Sequence, residues 1–145
     1  MTGEELIRKY EGLKLFPYQD SKGVWTIGIG TTRYPDGRAV TRDDEPISEL
    51  TAYAYLNDFL AREVRPVISA MNRKFSPPQI AALESLIYNT GRNFKTRCPK
   101  LYKAILDNDL ITCYYEWDFG IKDGLGLLRR RAHELQLFME GASSK

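Results

Sequence analysis

The sequence predicts an α+β fold with segregated lobes. Three observations carry this: a capped helical stripe at the start, two short alternating segments joined by a turn, and then a run of helical stripes punctuated by proline and glycine. Thr2 and Glu5 match a capping box, and Leu6, Ile7, Tyr10 and Leu13 form the stripe behind it, so a helix over about 2–11 ends near Glu11-Gly12. Leu13 to Tyr18 and Val24 to Ile29 read as strands joined by Asp20-Ser21-Lys22-Gly23, whose Asp-first, Gly-last order suits a type I turn. Pro35-Asp36-Gly37 marks a second turn, with a third small strand expected at Arg38 to Val40. The β-containing lobe thus covers about 12–45.

From Ile47 the apolar positions Leu50, Tyr53, Ala54, Leu60, Val64 and Val67 recur at helical spacing, and Pro66 is expected to kink or end that long connecting helix. Ser76-Pro77 supplies an N-cap and a first-turn proline for a helix whose stripe Ile80, Leu83, Leu86 and Ile87 stops at Gly91. Pro99 opens another short helix and Leu110 to Trp117 another. Gly120, Gly124 and Gly126 mark a loop, and Leu127 to Met139 form a last helix closed by Gly141. The helical lobe covers about 46–141 together with the helix at 2–11, and residues 1–145 make one domain.

A net charge of +2 is mildly basic, which suits an anionic polymer and falls short of a nucleic-acid signature. The run Arg129-Arg130-Arg131 does not alter this, because three consecutive helical residues point in different directions. Two cysteines are too few for a disulfide framework; Cys113 reads as a small core residue and Cys98 as a half-exposed one, both reduced. With a single histidine, His133, expected to be exposed, there is no metal cluster, and no cofactor is called for. The N-terminus lacks the regions of a signal peptide and no apolar run approaches a membrane span, so the chain is expected to be made soluble in a cytoplasm.

Glycoside cleavage needs a protonated carboxyl beside the leaving oxygen and a second group that stabilises the sugar cation or activates water. Glu11 and Asp20 are the candidates. Glu11 stands where a helix runs into a strand, beside apolar Leu13 and Leu15, a setting that disfavours a bare charge, whereas Asp20 on an open turn stays ionised. Alternation along the second strand sets Thr26 apart from Trp25 and Ile27, so its hydroxyl is expected to face a cleft and hold a water beside Asp20. Tyr18 and Phe94, near the hairpin and a loop, are the expected aromatic walls. Trp117 and the pair Tyr114-Tyr115 read as core.

The stretch from Glu11 through Phe16-Pro17-Tyr18-Gln19-Asp20, followed by Trp25-Thr26-Ile27-Gly28-Ile29-Gly30, closely resembles the signature of phage-type lysozymes, glycoside hydrolase family 24. There the order is Glu, eight residues, Asp, five residues, Thr, as here. Gly37 to Val40, Tyr88-Asn89-Thr90-Gly91 with Asn93-Phe94, and Gly126 to Arg131 follow in family order. The resemblance implies a lysozyme-like fold and muramidase activity on peptidoglycan, with Glu11, Asp20 and Thr26 catalytic. It also implies substrate contacts from Tyr18, Gly28, Gly30, Thr31, Asn89 and Phe94, and an arginine reaching Glu11, for which counting back from Gly141 favours Arg130. Thr31 stands where many relatives have His, and Lys95-Thr96-Arg97-Cys98-Pro99 replaces a small, Ser-rich stretch. Release from a phage's bacterial host is implied, by a monomer that stays in the host cytoplasm until a separate holin lets it reach the periplasm and wall. A lytic transglycosylase, an inactive wall-binding module and a secreted antibacterial effector are the competing readings.

Overall fold

The computed structural model describes residues 1–118 and 125–143. Helix α1 (Gly3–Glu11) begins in the expected capping box: Thr2 Oγ1 accepts from Glu5 N at 3.1 Å while Glu5 Oε1 accepts from Thr2 N at 3.2 Å. Such a cap stabilises by about 1 kcal/mol. Strands β1 (Lys14–Gln19) and β2 (Trp25–Gly28) then form a two-stranded antiparallel sheet. Their register shifts between Lys14 and Tyr18, where Pro17 has no N–H to give to the ladder. Asp20 closes the hairpin, its Oδ1 accepting from Lys22 N at 2.8 Å and Val24 N at 2.9 Å.

The expected strand at Arg38 to Val40 does not form; an isolated bridge pairs Arg33 with Ala39, and Val40 N reaches Thr32 O at 2.9 Å. Asp44 gathers this segment instead, accepting from Thr41 N at 2.8 Å, Thr41 Oγ1 at 2.7 Å, Tyr34 OH at 2.7 Å and Arg38 Nη1 at 3.1 Å. A side-chain acceptor that satisfies local donors competes with a ladder for them. These bonds, the Thr41 N–H first, hold the Asp44 carboxyl well below the usual range. Beneath them Ile27, Tyr34 and Val40 make a small core of their own.

Helix α2 (Glu49–Phe59) is capped by Ser48 and runs straight into a π-helical segment (Leu60–Val64) and α3 (Arg65–Ser69). Pro66 stands in the first turn of α3, and the widened turn just before it absorbs the missing N–H and the bulk of the ring, so the expected interruption falls at the π-helical segment. The buried face is Ala52, Leu56, Leu60 and Val64, at strict four-residue spacing, whereas Leu50 is 82 % exposed. The stripe expected there is displaced, because Ala52 packs against Gly28.

Helix α4 (Pro77–Thr90) lies at the centre, packed by α1 and by α8 (Leu125–Ser143). Its residues 81–87 are all buried, so the expected one-sided stripe gives way to burial around most of the circumference, with Ile80 left at the rim. Each fully buried Leu or Ile there contributes about 1.5–3 kcal/mol. Short helices α5 (Phe94–Arg97), α6 (Pro99–Leu106) and α7 (Leu110–Glu116) close the other side. The loop expected at Gly120 and Gly124 lies outside the described residues; Gly126 is already helical. Gly141 does not end α8. A Cβ there would lie 2.3 Å from Ser76 Oγ, so the glycine permits α8 to cross the start of α4 at close range. Cys98 and Cys113 are both free and buried, and burial pushes both thiols up to about 11. Cys98 is thus more enclosed than expected.

Candidate active site

Glu11 is the last residue of α1, which carries its carboxylate to the foot of the hairpin. Its Oε2 accepts from Arg130 Nη1 at 2.6 Å, the contact expected of one of the three consecutive arginines. The Glu11 side chain is 24 % exposed and that of Arg130 5 %, so the pair opens to solvent on the glutamate side.

The chain reverses just after β2 through Gly28-Ile29-Gly30, with Ile27 and Thr31 exchanging bonds of 2.8 and 2.9 Å across the turn. Gly28 at φ +68° and Gly30 at φ +74° take the left-handed conformation that such a tight reversal needs. Their surroundings differ. Gly28 is buried, with Ala52 Cβ 3.2 Å and Ile47 Cδ1 3.3 Å from where its own Cβ would stand, so it packs the turn onto α2 and is not open to a sugar. Gly30 instead faces the site: its Cβ would stand 2.8 Å from both Glu11 Oε1 and Tyr88 OH. Tyr88 donates to Ile29 O at 2.8 Å, tying α4 to the same turn. Gly30→Ala is accordingly expected to cost about 1–3 kcal/mol in backbone strain and to displace the Glu11 carboxylate, lowering lytic activity at least about tenfold. Thermal unfolding and turbidity clearing measure both; an alanine variant matching the parent in each would mean that the turn holds no acid in place.

Tyr18 on β1 is half-buried, and its phenol is pushed up by burial first, then by Glu11, then by Asp20. Its ring therefore stands within electrostatic reach of both carboxylates, with Lys14 Nζ 4.4 Å from the ring centroid. Thr26 is 3 % exposed, more enclosed than alternation suggested, and its hydroxyl donates to Val24 O at 2.9 Å. That bond leaves the hydroxyl's lone pairs to accept. Thr31 is 8 % exposed and, with Gly30, Arg33, Phe59 and Tyr88, lines a recess of about 280 Å³ that adjoins Glu11 through Gly30.

Phe94 is not a cleft wall. It is fully buried in the main core against Tyr102, because α5 folds it inward from the loop after Gly91. Asn89 is exposed, and its Oδ1 accepts from Arg131 Nη2 at 2.6 Å. Trp117 is core, as expected, whereas Tyr114 and Tyr115 are 60 % and 72 % exposed on α7. His133 is not free: it shares a 2.9 Å hydrogen bond with Tyr10 OH across the α1–α8 contact. Among the described residues no group of three His, Cys, Asp or Glu is placed to hold a metal.

Sequence reasoning passed over Ser85 and Glu134. Glu134 is completely buried, its Oε2 accepting from Ser85 Oγ at 2.5 Å and its Oε1 from Trp117 Nε1 at 3.3 Å. Arg131 Nη1 lies 3.0 Å from Glu134 Oε1 in an ionic contact without hydrogen-bond alignment. The available signal was an acid three and four residues after two arginines on one helix.

A family profile described as phage lysozyme matches residues 8–134. The endolysin of Salmonella phage P22 is 32 % identical, over 95 % of this chain and 95 % of its own. The SAR-endolysin of Enterobacteria phage P21 is 29 % identical, over 90 % of this chain and 78 % of its own. Among solved structures, the endolysin from Escherichia coli O157:H7 phage FAHEc1 superposes with a TM-score of 0.80 at 27 % identity, covering 95 % of this chain and 90 % of that one. With a helix-borne glutamate set against a glycine turn, the chain belongs to the phage lysozyme family. It is a glycoside hydrolase of the lysozyme type, and its substrate is peptidoglycan.

Proposed function

We propose that the chain cleaves the β-1,4 bond between N-acetylmuramic acid and N-acetylglucosamine, with Glu11 as the proton donor and Asp20 and Thr26 as holders of the attacking water. The observation that carries this reading is the pair of environments at Glu11: Oε2 is occupied by Arg130, while Oε1 faces Gly30 and the Tyr88 hydroxyl. Only the second oxygen is available to a substrate. Its proton passes to the glycosidic oxygen as the C1–O bond breaks and the bonding electrons leave with that oxygen. Water then adds to the cation-like C1 and gives up a proton to Asp20. Oδ1 of Asp20 is committed to the hairpin, so Oδ2 takes that role. Thr26, whose own proton is spent on Val24 O, has lone pairs left with which to accept from the same water. Tyr18, Gly30, Thr31 and Asn89 remain the sugar-contact candidates.

Mass spectrometry of fragments from purified peptidoglycan tests the reaction. Hydrolysis leaves reducing muramic acid ends. Anhydro ends would instead identify a transglycosylase, a chemistry that needs neither Asp20 nor Thr26. We further place the chain in phage-driven host lysis, as a monomer held in the host cytoplasm until a separate holin admits it to the periplasm and wall. Among the described residues no helix is long and apolar enough to cross a membrane.

A further inference from the structure

The buried charges behind the acid are more numerous than a single Glu–Arg pair requires. Arg130 is gripped on three sides: Nε donates to Ser85 Oγ at 3.1 Å, Nη2 to Ser85 O at 3.2 Å, and Nη1 to Glu11 Oε2 at 2.6 Å. Ser85 is able to accept from Arg130 because its own hydroxyl hydrogen goes to Glu134. Glu134 thereby fixes which way the serine points, and the serine fixes which way the guanidinium points. A guanidinium has its donors in a rigid fork, so setting two of them sets the third.

The charges add to this. Arg130 and Arg131 are both nearly buried and both positive, while Glu134 lies 3.5 Å from Arg130 Nε and 3.0 Å from Arg131 Nη1. With Glu134 ionised, the cluster behind Glu11 carries one net positive charge; without that carboxylate it carries two. Among the described residues, Tyr18 from β1 and Tyr88 from α4 also stand within electrostatic reach of Glu11, both neutral at working pH. Glu134 itself is met by Tyr10 from α1 as well as by the two arginines of its own helix. Burial pushes its carboxyl up, and Arg131, Arg130, Ser85 and Trp117 oppose this.

We infer that Glu134, acting through Ser85 and Arg130, is a positioning residue for the proton donor: it aims Arg130 Nη1 at Glu11 and offsets one of the two buried guanidinium charges that stand behind it. This rests on Glu11 being the donor. The two functions of Glu134, aim and charge, separate in different variants.

Glu134→Gln keeps the shape and an acceptor for Ser85 but removes the charge. A general acid is lost as pH rises through its ionisation, and extra positive charge makes ionisation easier. The alkaline limb of the kcat/KM profile is therefore expected to move to lower pH by about one unit or more. Activity at neutral pH falls accordingly, with KM nearly unchanged. Ser85→Ala keeps every charge and the main-chain acceptor for Nη2 but breaks the hydroxyl link through which Glu134 aims Arg130. It should lower kcat about tenfold with the alkaline limb in place. Glu11→Gln, measured alongside, tests the donor assignment alone. If Glu11→Gln is inactive while Glu134→Gln, folded by circular dichroism, shows the parent profile, Glu134 is merely structural and the inference fails. An unmoved profile and parent kcat in Ser85→Ala would overturn the aiming role even if Glu134→Gln did not fold. If Glu11→Gln is active, the donor assignment fails and this inference fails with it.

Discussion

Glu11→Gln is expected to leave a folded protein whose peptidoglycan hydrolysis has fallen by about 10²- to 10⁴-fold or more, the usual contribution of a general acid. In barrier terms that is about 3–5.5 kcal/mol. The amide has the same shape, and its oxygen still accepts from Arg130 Nη1 where Oε2 now does. What it lacks is a proton to give at the position of Oε1. Stability should change little, since the amide keeps an acceptor for Arg130 Nη1 and the pair is screened by the partial exposure of the glutamate. Turbidity clearing of permeabilised Gram-negative cells, with a thermal melt of the same sample, separates the two effects. A folded variant that hydrolyses within about threefold of the parent lies well outside the range of acid catalysis, and the donor would have to be sought elsewhere.

Asp20→Asn should cost about 10²-fold or more, because the variant no longer carries the charge that faces the developing cation and takes the proton of water. Asn is the informative replacement. Its Oδ1 accepts the same Lys22 and Val24 N–H groups, so the hairpin turn is preserved while the charge is removed. Thr26→Val is the companion test of the hydroxyl: activity should fall by a similar factor with the strand still paired through Tyr18. If Asp20→Asn is impaired and Thr26→Val is not, the water is held by the carboxylate alone and Thr26 is a strand residue. Full activity in both would leave the hairpin without a chemical role.

What the sequence made legible was mostly local. The Thr2–Glu5 box, the Asp20 turn and the Ser76-Pro77 start each rest on a few adjacent residues whose bonding is decided before tertiary packing begins. Helix faces were harder. Leu50 and Ile80 fit an apolar stripe yet lie outward, since α2 is turned by its contact with Gly28 and α4 is enclosed on most sides, which erases the period that reveals a single buried face. Phe94 looked like a loop aromatic because nothing local announces that α5 points it into the core. Glu134 was hidden for the opposite reason. A charged residue among Arg131, His133 and Gln136 reads as a solvated face, and only the arrival of Ser85 and Trp117 from other helices shows it to be the most buried acid near the site.

The bond between Glu11 and Arg130 joins residues 119 positions apart. The acid leaves the ribosome well before its partner, about 6 to 24 seconds earlier at ordinary elongation rates of roughly 5–20 residues per second. Loop closure over that span has to be achieved before the glutamate is gripped from behind, which gives the site a high contact order for so small a chain. A product broken off anywhere between Thr26 and α8 carries the whole Glu-Asp-Thr segment and none of the arginine that seats it. Translation that stops before α8 should therefore yield chains that are inert toward the wall, and the onset of activity should follow the synthesis of α8.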